Sequence, residues 1–502
     1  MARGGGGLGA GAGLRALGWC IADDGSSDAR SRAALARAAD RDPRIRLHRA
    51  ERQGGVSAAS NLALAHATGE FVALLDHDDV LAPHALASVV ALLNTGDTPF
   101  DVIYSDEDKL DEDGVRCDPY FKPDWSPDLF RSSICACHLL VLRRTLVEEV
   151  GGFRSAFDFS QDYDLLLRLD RTDDAHRPRA GRAVSLAQDA GLDGPGRRCQ
   201  ARGPRGRCAA LQAHLDRQAI AGRILDAGPP GLYRVQYLVE GQPGVSIVVP
   251  SPRATPTALA AWLAQLVAGT RHRPLEIVIV SDTGAVPPVA ADGVDVRGVA
   301  AGGADSYAAR VNLGARTASA PYLLVLHDDL SPQHPEWLDA MLELATRPWV
   351  GVVGAKLFDS AGRVRHIGLV LGLGGTVGRP FSGHPGDALG YFSNALCIRN
   401  CSAVSGACLM TPKAVFDGAG GFDIRLHDGS AEVDYALRVS AAGRLVVVTP
   451  YARLTQASSA AGSDTDAGSD WALLGERWGR QFAADPFYSP HLSRRALDYG
   501  LA

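Results

Sequence analysis

The residues best equipped for chemistry are carboxylates at the ends of apolar runs. In Phe71–Val80 (FVALLDHDDV) five apolar residues lead into Asp76, His77, Asp78 and Asp79. Such a run marks a buried central strand. The acidic residues then emerge at its carboxyl end, where open α/β sheets bind ligands. Carboxylates gathered there repel one another unless a cation stands between them. Hard ions such as Mn2+ or Mg2+ take oxygen ligands and leave positions open to phosphate. A polar loop that opens a helix, with Asp79 as its N-cap, is the plainer account of the same residues. A second acidic turn, Asp23-Asp24-Gly25-Ser26-Ser27-Asp28, follows the run GWCIA. It too would cap a helix. Two strand-end clusters converging on one sheet edge, however, outline a pocket for a nucleotide diphosphate.

Two α/β patterns must position these residues. The first runs from Leu17 to Asp170, with strand signals GWCIADD, FVALLD and DVIYSDED and helical runs at Arg30–Ala39 and Val56–Ala67. The second opens with VSIVVPS (Val245–Ser251) and continues through EIVIVSD (Glu276–Asp282), a helical run over Ser306–Ala318, and YLLVLHDD. Short apolar strands alternating with helices predict a mostly parallel sheet covered on both faces. The patterns repeat one another. Asn61 answers to Asn312 and Asp78 to Asp329, each 251 residues on. Asp162 answers to Glu432, Asp164 to Asp434 and Arg168 to Arg438, each 270 residues on. That period is far longer than a solenoid unit and signals duplication of a whole domain.

Bulk properties narrow the function. A chain of 502 residues exceeds one compact core. The formal net charge of −6 argues against nonspecific binding to nucleic acid. Nine cysteines without regular spacing give no zinc or disulfide framework, so a reducing cytosol is expected. No segment reads as a signal, and the apolar run Ile367–Leu373 is too short to span a bilayer. The expectation is a cytoplasmic protein, with attachment to the inner face of the plasma membrane as the closest membrane association.

DDGSSD, GGVSAASN, LLDHDD and SQDYDLLLR follow one another in an order that resembles family 2 glycosyltransferases. LLDHDD looks like their D-x-D motif. YSDEDKLDEDG and DPYFKPDWSPDL, with VSIVVPS, NLGAR, GVVGAKL, SGACLM and GGFD farther on, resemble a bacterial subgroup associated with O-antigen and other surface polysaccharides. The resemblance implies an α/β fold with two GT-A (Rossmann-like) domains in tandem. The expected boundaries are 15–175 for the first domain, 176–243 for an irregular Arg/Gly-rich linker with a short helical segment, 244–456 for the second domain, and 457–502 for a polar linker and tail.

The same resemblance implies an inverting sugar transfer from a nucleotide-sugar donor to a saccharide or lipid-linked acceptor, assisted by Mn2+ or Mg2+. Asp23, Asp24 and Ser26 would meet the nucleotide, with Gly55 and Asn61 near it. Asp76 and Asp78 would form the D-x-D pair, Asp78 being the favoured metal ligand. Asp162 matches the catalytic base position and is read as the base, with an N-cap as the structural alternative that can hold beside it. Asp106, Glu107 and Asp108 would shape the acceptor side or form a solvated turn. In the second domain Asp282 and Asn312 take the donor-site positions, Asp329 the metal position and Glu432 the base position; His327 is a ligand or a strand-end polar residue. Two departures stand out. The first domain lacks its opening β-α unit, since only Met1–Ala16 precedes GWCIADD. The histidine expected near the second metal site is absent from Leu454-Thr455-Gln456-Ala457, and in the first domain the Arg/Gly-rich stretch intervenes where a further strand and histidine are expected. These departures leave a second reading open, a decayed, non-catalytic pair of domains that binds nucleotide or glycan. A dinucleotide-binding oxidoreductase is disfavoured, because the N-terminal glycines follow no strand.

Overall fold

The computed structural model describes residues 17–95, 100–170, 180–184, 189–190, 203–251, 256–427, 429–457 and 468–502. The chain divides into two compact units, Met1–Trp125 with Ile134–Tyr233, and Ser126–Ser133 with Arg234–Ala502.

In the first unit β1 (Trp19–Asp23) pairs in parallel with β2 (Ile45–Arg49). The helix between them, Ala29–Arg41, is capped by Asp28, whose carboxylate accepts from Ser31 N at 2.8 Å. A separate sheet takes the order β3-β7-β4-β8, from β3 (Phe71–Leu74), β4 (Val102–Ser105), β7 (Leu140–Arg143) and β8 (Ala180–Val184). Three strands, β5 (Glu107–Leu110), β6 (Arg116–Tyr120) and β9 (Asp189–Ala190), form a small sheet in the order β6-β5-β9. The helix Gly203–Arg217 and β10 (Gly222–Asp226) follow, and β11 (Tyr233–Tyr237) carries the chain into the second unit.

The second unit is built on one ten-stranded mixed sheet. Its path is β14-β13-β12-β15-β22-β17-β23-β16. The strands are β12 (Val245–Pro250), β13 (Leu275–Ser281), β14 (Val294–Ala300), β15 (Tyr322–Leu326), β16 (Leu330–Pro332), β17 (Val350–Phe358), β22 (Cys408–Pro412) and β23 (Leu445–Gln456). Off this path β18 (Val364–His366) joins β17 and β21 (Arg399–Asn400) joins β23, while β19 (Val370–Leu371) and β20 (Val377–Gly378) pair with each other. The α/β expectation holds.

The two units differ around their first strands. In the second unit β12 lies between β13 and β15 and pairs in parallel with both. Among the described residues of the first unit no strand joins β1 to β3, so the sheet is in two pieces. Burial follows. All six residues of β12 are buried, whereas β1 buries one of its five and β3 none of its four. Unpaired strand edges leave backbone donors and acceptors to water.

Two expected segments differ from their description. The stretch taken as an irregular linker with a short helical segment contains, besides the helix Gly203–Arg217, the strands β8, β9 and β10; residues 171–179, 185–188 and 191–202 lie outside the described residues, as do 1–16. The stretch taken as a tail carries the helix Gly468–Ala483, and Leu474, Tyr488, Leu492 and Tyr499 are buried. Polar anchoring adds to that packing. Trp478 Nε1 donates to Asp434 at 3.0 Å, and Arg477 reaches Asp423 at 2.9 Å and Asp434 at 3.1 Å. Among the described residues no helix is long and apolar enough to cross a membrane.

Candidate active site

The first unit's site is set by strand register. β7 runs antiparallel to β3, with Leu74 opposite Leu140. Residues just beyond the end of β3 therefore stand beside residues just before β7. This brings Asp76 and Asp79 to His138. The imidazole Nδ1 lies 3.7 Å from Asp76 Oδ2 and 3.5 Å from Asp79 Oδ2. One ligand atom from each of the three residues lies within 4.8 Å of the other two. The Asp79 side chain is 5% exposed and that of Asp76 68%, so the cluster is anchored inside and open to solvent on one flank. The Asp76 carboxylate beside it pushes His138 up to about 9, and the imidazole in turn holds Asp76 below the usual carboxylate range. Two carboxylate oxygens and one imidazole nitrogen form an open donor set that suits Mn2+ and, less well, Mg2+.

Asp78 is not part of this set. Its side chain is 66% exposed and its neighbour is His77, 3.7 Å away. The residue gathered with Asp76 and His138 is thus Asp79, whose side chain is nearly buried, and not the expected Asp78. The D-x-D spacing gives way to Asp76 and Asp79, three residues apart.

Asp162 stands in the first turn of the helix Gln161–Leu169 and accepts from Tyr163 N at 2.7 Å. Burial raises its pKa, the Asp76 carboxylate adds to the rise, and Arg207 and the Tyr163 amide oppose it. Asp162 and Asp76 therefore lie within each other's field. Arg207 comes from the helix Gly203–Arg217, inside the segment expected to be irregular. Next to these lies a buried charged layer. The Lys122 ammonium donates to Ser105 O at 2.7 Å and to Glu107 at 3.0 Å, and Lys122 N donates to Asp106 Oδ1 at 2.7 Å. Burial lifts Asp106 to about 7.

The acidic turn has a scaffolding role in this conformation. Asp23 Oδ1 accepts from Ser26 N at 2.8 Å, and that bond helps hold its pKa down. Asp24 accepts from Gly54 N at 2.8 Å and Gly55 N at 2.9 Å. Both of its oxygens thus tie down the start of the helix Val56–Ala65. A Cβ on Gly55 would collide with Asp158 Oδ2, while Asp158 Oδ1 accepts from Ser57 N at 3.2 Å. Asp158 lies four residues before Asp162, so the acidic turn, the helix start and the candidate base form one connected edge.

Asn61 is corrected to a structural residue. Its Nδ2 donates to Phe153 O at 2.8 Å and its Oδ1 accepts from Phe153 N at 2.8 Å. A Cβ on Gly152 would stand 2.5 Å from Asn61 Oδ1, so only glycine fits there. Arg168 completes the clamp through Asp164 at 3.0 Å and Gly152 O at 2.5 Å.

The profile described as "Glycosyl transferase family 2" matches residues 19–151, the segment that carries Asp24, Asp76, Asp79 and His138. Residues 19–151 belong to glycosyl transferase family 2. The O-antigen biosynthesis protein RfbC of Myxococcus xanthus is 37% identical over 506 residues, covering 96% of this chain and 38% of the relative. The uncharacterized protein y4gI of Sinorhizobium fredii is 35% identical over 502 residues, covering 96% of this chain and 55% of the relative. The chain thus spans about half or less of the length of these relatives. The solved structure of GalNAc-T7 with UDP, GalNAc and Mn2+ matches with a TM-score of 0.38 and 13% identity, over 55% of this chain and 56% of that one. A likeness at that score carries no chemistry across.

Beyond the family 2 match, the second unit repeats the scaffold and loses the ligands. Asn312 donates to Phe422 O at 2.8 Å and accepts from Phe422 N at 2.9 Å. A Cβ on Gly421 would stand 2.5 Å from Asn312 Oδ1. Arg438 binds Asp434 at 2.7 Å and Gly421 O at 2.7 Å. Asn312, like Asn61, is therefore a clamp rather than a donor-site residue. β15 and β22 repeat the register of β3 and β7, with Val325 opposite Leu409. Ala407 consequently stands where the family 2 domain has His138, and His327 stands where it has Asp76. The His327 ring sits edge-on to Tyr307 at 5.5 Å.

Asp329 is corrected as a metal ligand. Gln456 Nε2 donates to its two oxygens at 3.2 and 3.0 Å. Among the described residues no cluster of three metal-ligating groups occurs in this unit. Glu432 is 2% exposed and accepts from Gly406 N and Gly429 N, each at 3.0 Å. Its longer side chain reaches the room left by Gly406, where the family 2 domain carries Cys137. Asp282 is 65% exposed and paired with Arg310 at 2.6 Å.

Sequence reasoning passed over His138, Glu107 as a neighbour of the centre, and Arg207, and it read Asp79 as a cap. One signal for His138 was present. Aligning ICACHLLVLRR with VSGACLMTPK sets a histidine against alanine immediately before a strand that pairs with the acidic one.

Proposed function

We propose that the first unit is a metal-dependent glycosyltransferase centre that moves a sugar from a nucleotide-sugar donor to a saccharide or lipid-linked acceptor with inversion. The observation that supports it is the meeting of Asp76, Asp79 and His138 at one sheet edge within the field of Asp162. Asp76, Asp79 and His138 would hold Mn2+ or Mg2+. When bound, the cation neutralises charge growing on the departing diphosphate. Asp162 accepts the proton of the attacking hydroxyl as the new oxygen–carbon bond forms at C1 and the bond to diphosphate breaks. Its raised pKa makes it a stronger base than an exposed carboxylate. Asp24, Asp158 and the Asn61 clamp keep the surrounding loops in place, so that donor and acceptor meet in line. By analogy with the Myxococcus relative, the product belongs to a bacterial surface polysaccharide.

For the second unit we propose a non-catalytic role as a duplicated partner domain. Asp329 is engaged by Gln456 and Glu432 by two backbone amides, which favours scaffolding over turnover. Titration calorimetry with UDP and with dTDP, with and without Mn2+, tests the reading. Binding that requires Mn2+ and disappears in His138→Gln is expected; binding indifferent to the metal would contradict it.

A further inference from the structure

The metal cluster has a second face. Glu107, Cys137 and His138 also bring one ligand atom each within 4.8 Å of one another, so two trios share a single histidine. Their chemistry differs. Asp76, Asp79 and His138 offer two hard oxygens. Glu107, Cys137 and His138 offer sulfur, nitrogen and one oxygen, the donor set that Zn2+ takes in three-ligand sites with a fourth position open. The surroundings favour a cation: the carboxylates of Asp76, Asp79, Glu107 and Asp162 outnumber the cationic side chains of Lys122 and Arg207. Glu107 Oε2 accepts from the Lys122 ammonium at 3.0 Å. Glu107 and Cys137 are partly buried and His138 is exposed, which gives an entering ion a path on the imidazole side.

We infer that Glu107, Cys137 and His138 form a second cation site for thiophilic divalent ions of the Zn2+ class, and that an ion there takes His138 away from Asp76 and Asp79. Three bonds form, from Glu107 oxygen, Cys137 sulfur and a His138 nitrogen, and two protons leave to solvent near neutral pH, one from the thiol and one from the imidazolium. The site would make the enzyme sensitive to inhibition by zinc. The competition, though not the site itself, rests on the proposed Mn2+ reading.

The test uses Co2+ as a spectroscopic stand-in for Zn2+ on the full chain. The near-ultraviolet thiolate-to-cobalt absorption should appear on titration of the wild type and persist in Asp79→Asn. It should vanish in both Cys137→Ser and Cys137→Ala, and its midpoint should rise roughly tenfold or more in Glu107→Gln. Bound Mn2+, followed by its paramagnetic resonance, should be released as Co2+ is added. No absorption in the wild type, or absorption unchanged in both Cys137 variants, would overturn the site. Absorption without release of bound Mn2+ would overturn the competition. A wild type that binds no Mn2+ but gives the absorption would refute the Mn2+ reading and leave the second site standing.

Discussion

At the scale of single residues, the acidic run after β3 contains three aspartates with three different fates. Asp76 flanks the opening, Asp79 is the buried anchor and Asp78 faces water. Asp79→Asn and His138→Gln should each weaken Mn2+ binding by about 10- to 100-fold, because each removes a donor from a set of three. Asp78→Asn should leave it within about threefold, since its charge is exposed and screened. Paramagnetic resonance titration of the three variants checks both statements. The places of Asp76 just past a strand and of Asp162 in a helix's first turn were readable in the sequence, because an apolar run ending in carboxylates and a helix opening with one mark those positions. Which aspartate turns inward was not readable, as it depends on the geometry of a tight turn. His138 was hidden for another reason: it reaches Asp76 through antiparallel pairing of strands some sixty residues apart.

At the scale of elements, the repeated motif that looked like a donor contact is a clamp. Asn61 and Asn312 bridge the backbones of Phe153 and Phe422, and a glycine whose Cβ would clash makes room in each case. The pattern of an asparagine with a distant Gly-Gly-Phe was visible, but pattern alone does not distinguish a ligand contact from a backbone bridge. Replacing either asparagine by alanine leaves a backbone N–H and C=O without their bonds. Asn61→Ala and Asn312→Ala should each cost about 1–3 kcal/mol, read from urea unfolding. The α/β elements themselves were legible from apolar periodicity. The split between β1 and β3 was not itself read from the sequence, which showed only an opening strand in the second half of the repeat without a counterpart before GWCIADD. The helix Gly203–Arg217 was expected as a short helical segment, while its first turn was obscured by arginines and glycines that imitate a linker composition.

At the scale of the whole molecule, the two units share a scaffold and differ in charge chemistry. Buried neutral groups in the second unit give the chain an acid limit. His366 is 2% exposed and accepts from Ser405 N at 3.0 Å, and burial, with Arg379 and Arg399 nearby, lowers its pKa to about 3. A folded-state value below the ordinary 6.5 means that its contribution is complete above pH 6.5 and shrinks as pH falls toward 3. Between pH 7 and pH 5 the wild type should lose about 2 kcal/mol through this group. Urea midpoints measured at both pH values should therefore fall further in the wild type than in His366→Gln. The central claim is narrower, that one centre, in the first unit, performs the transfer. Donor turnover in Asp162→Asn and Glu432→Gln decides it most directly. The account predicts a loss of about 10²- to 10⁴-fold for Asp162→Asn and a change within a few-fold for Glu432→Gln. An equal or greater loss in Glu432→Gln, with the protein still folded, would contradict it.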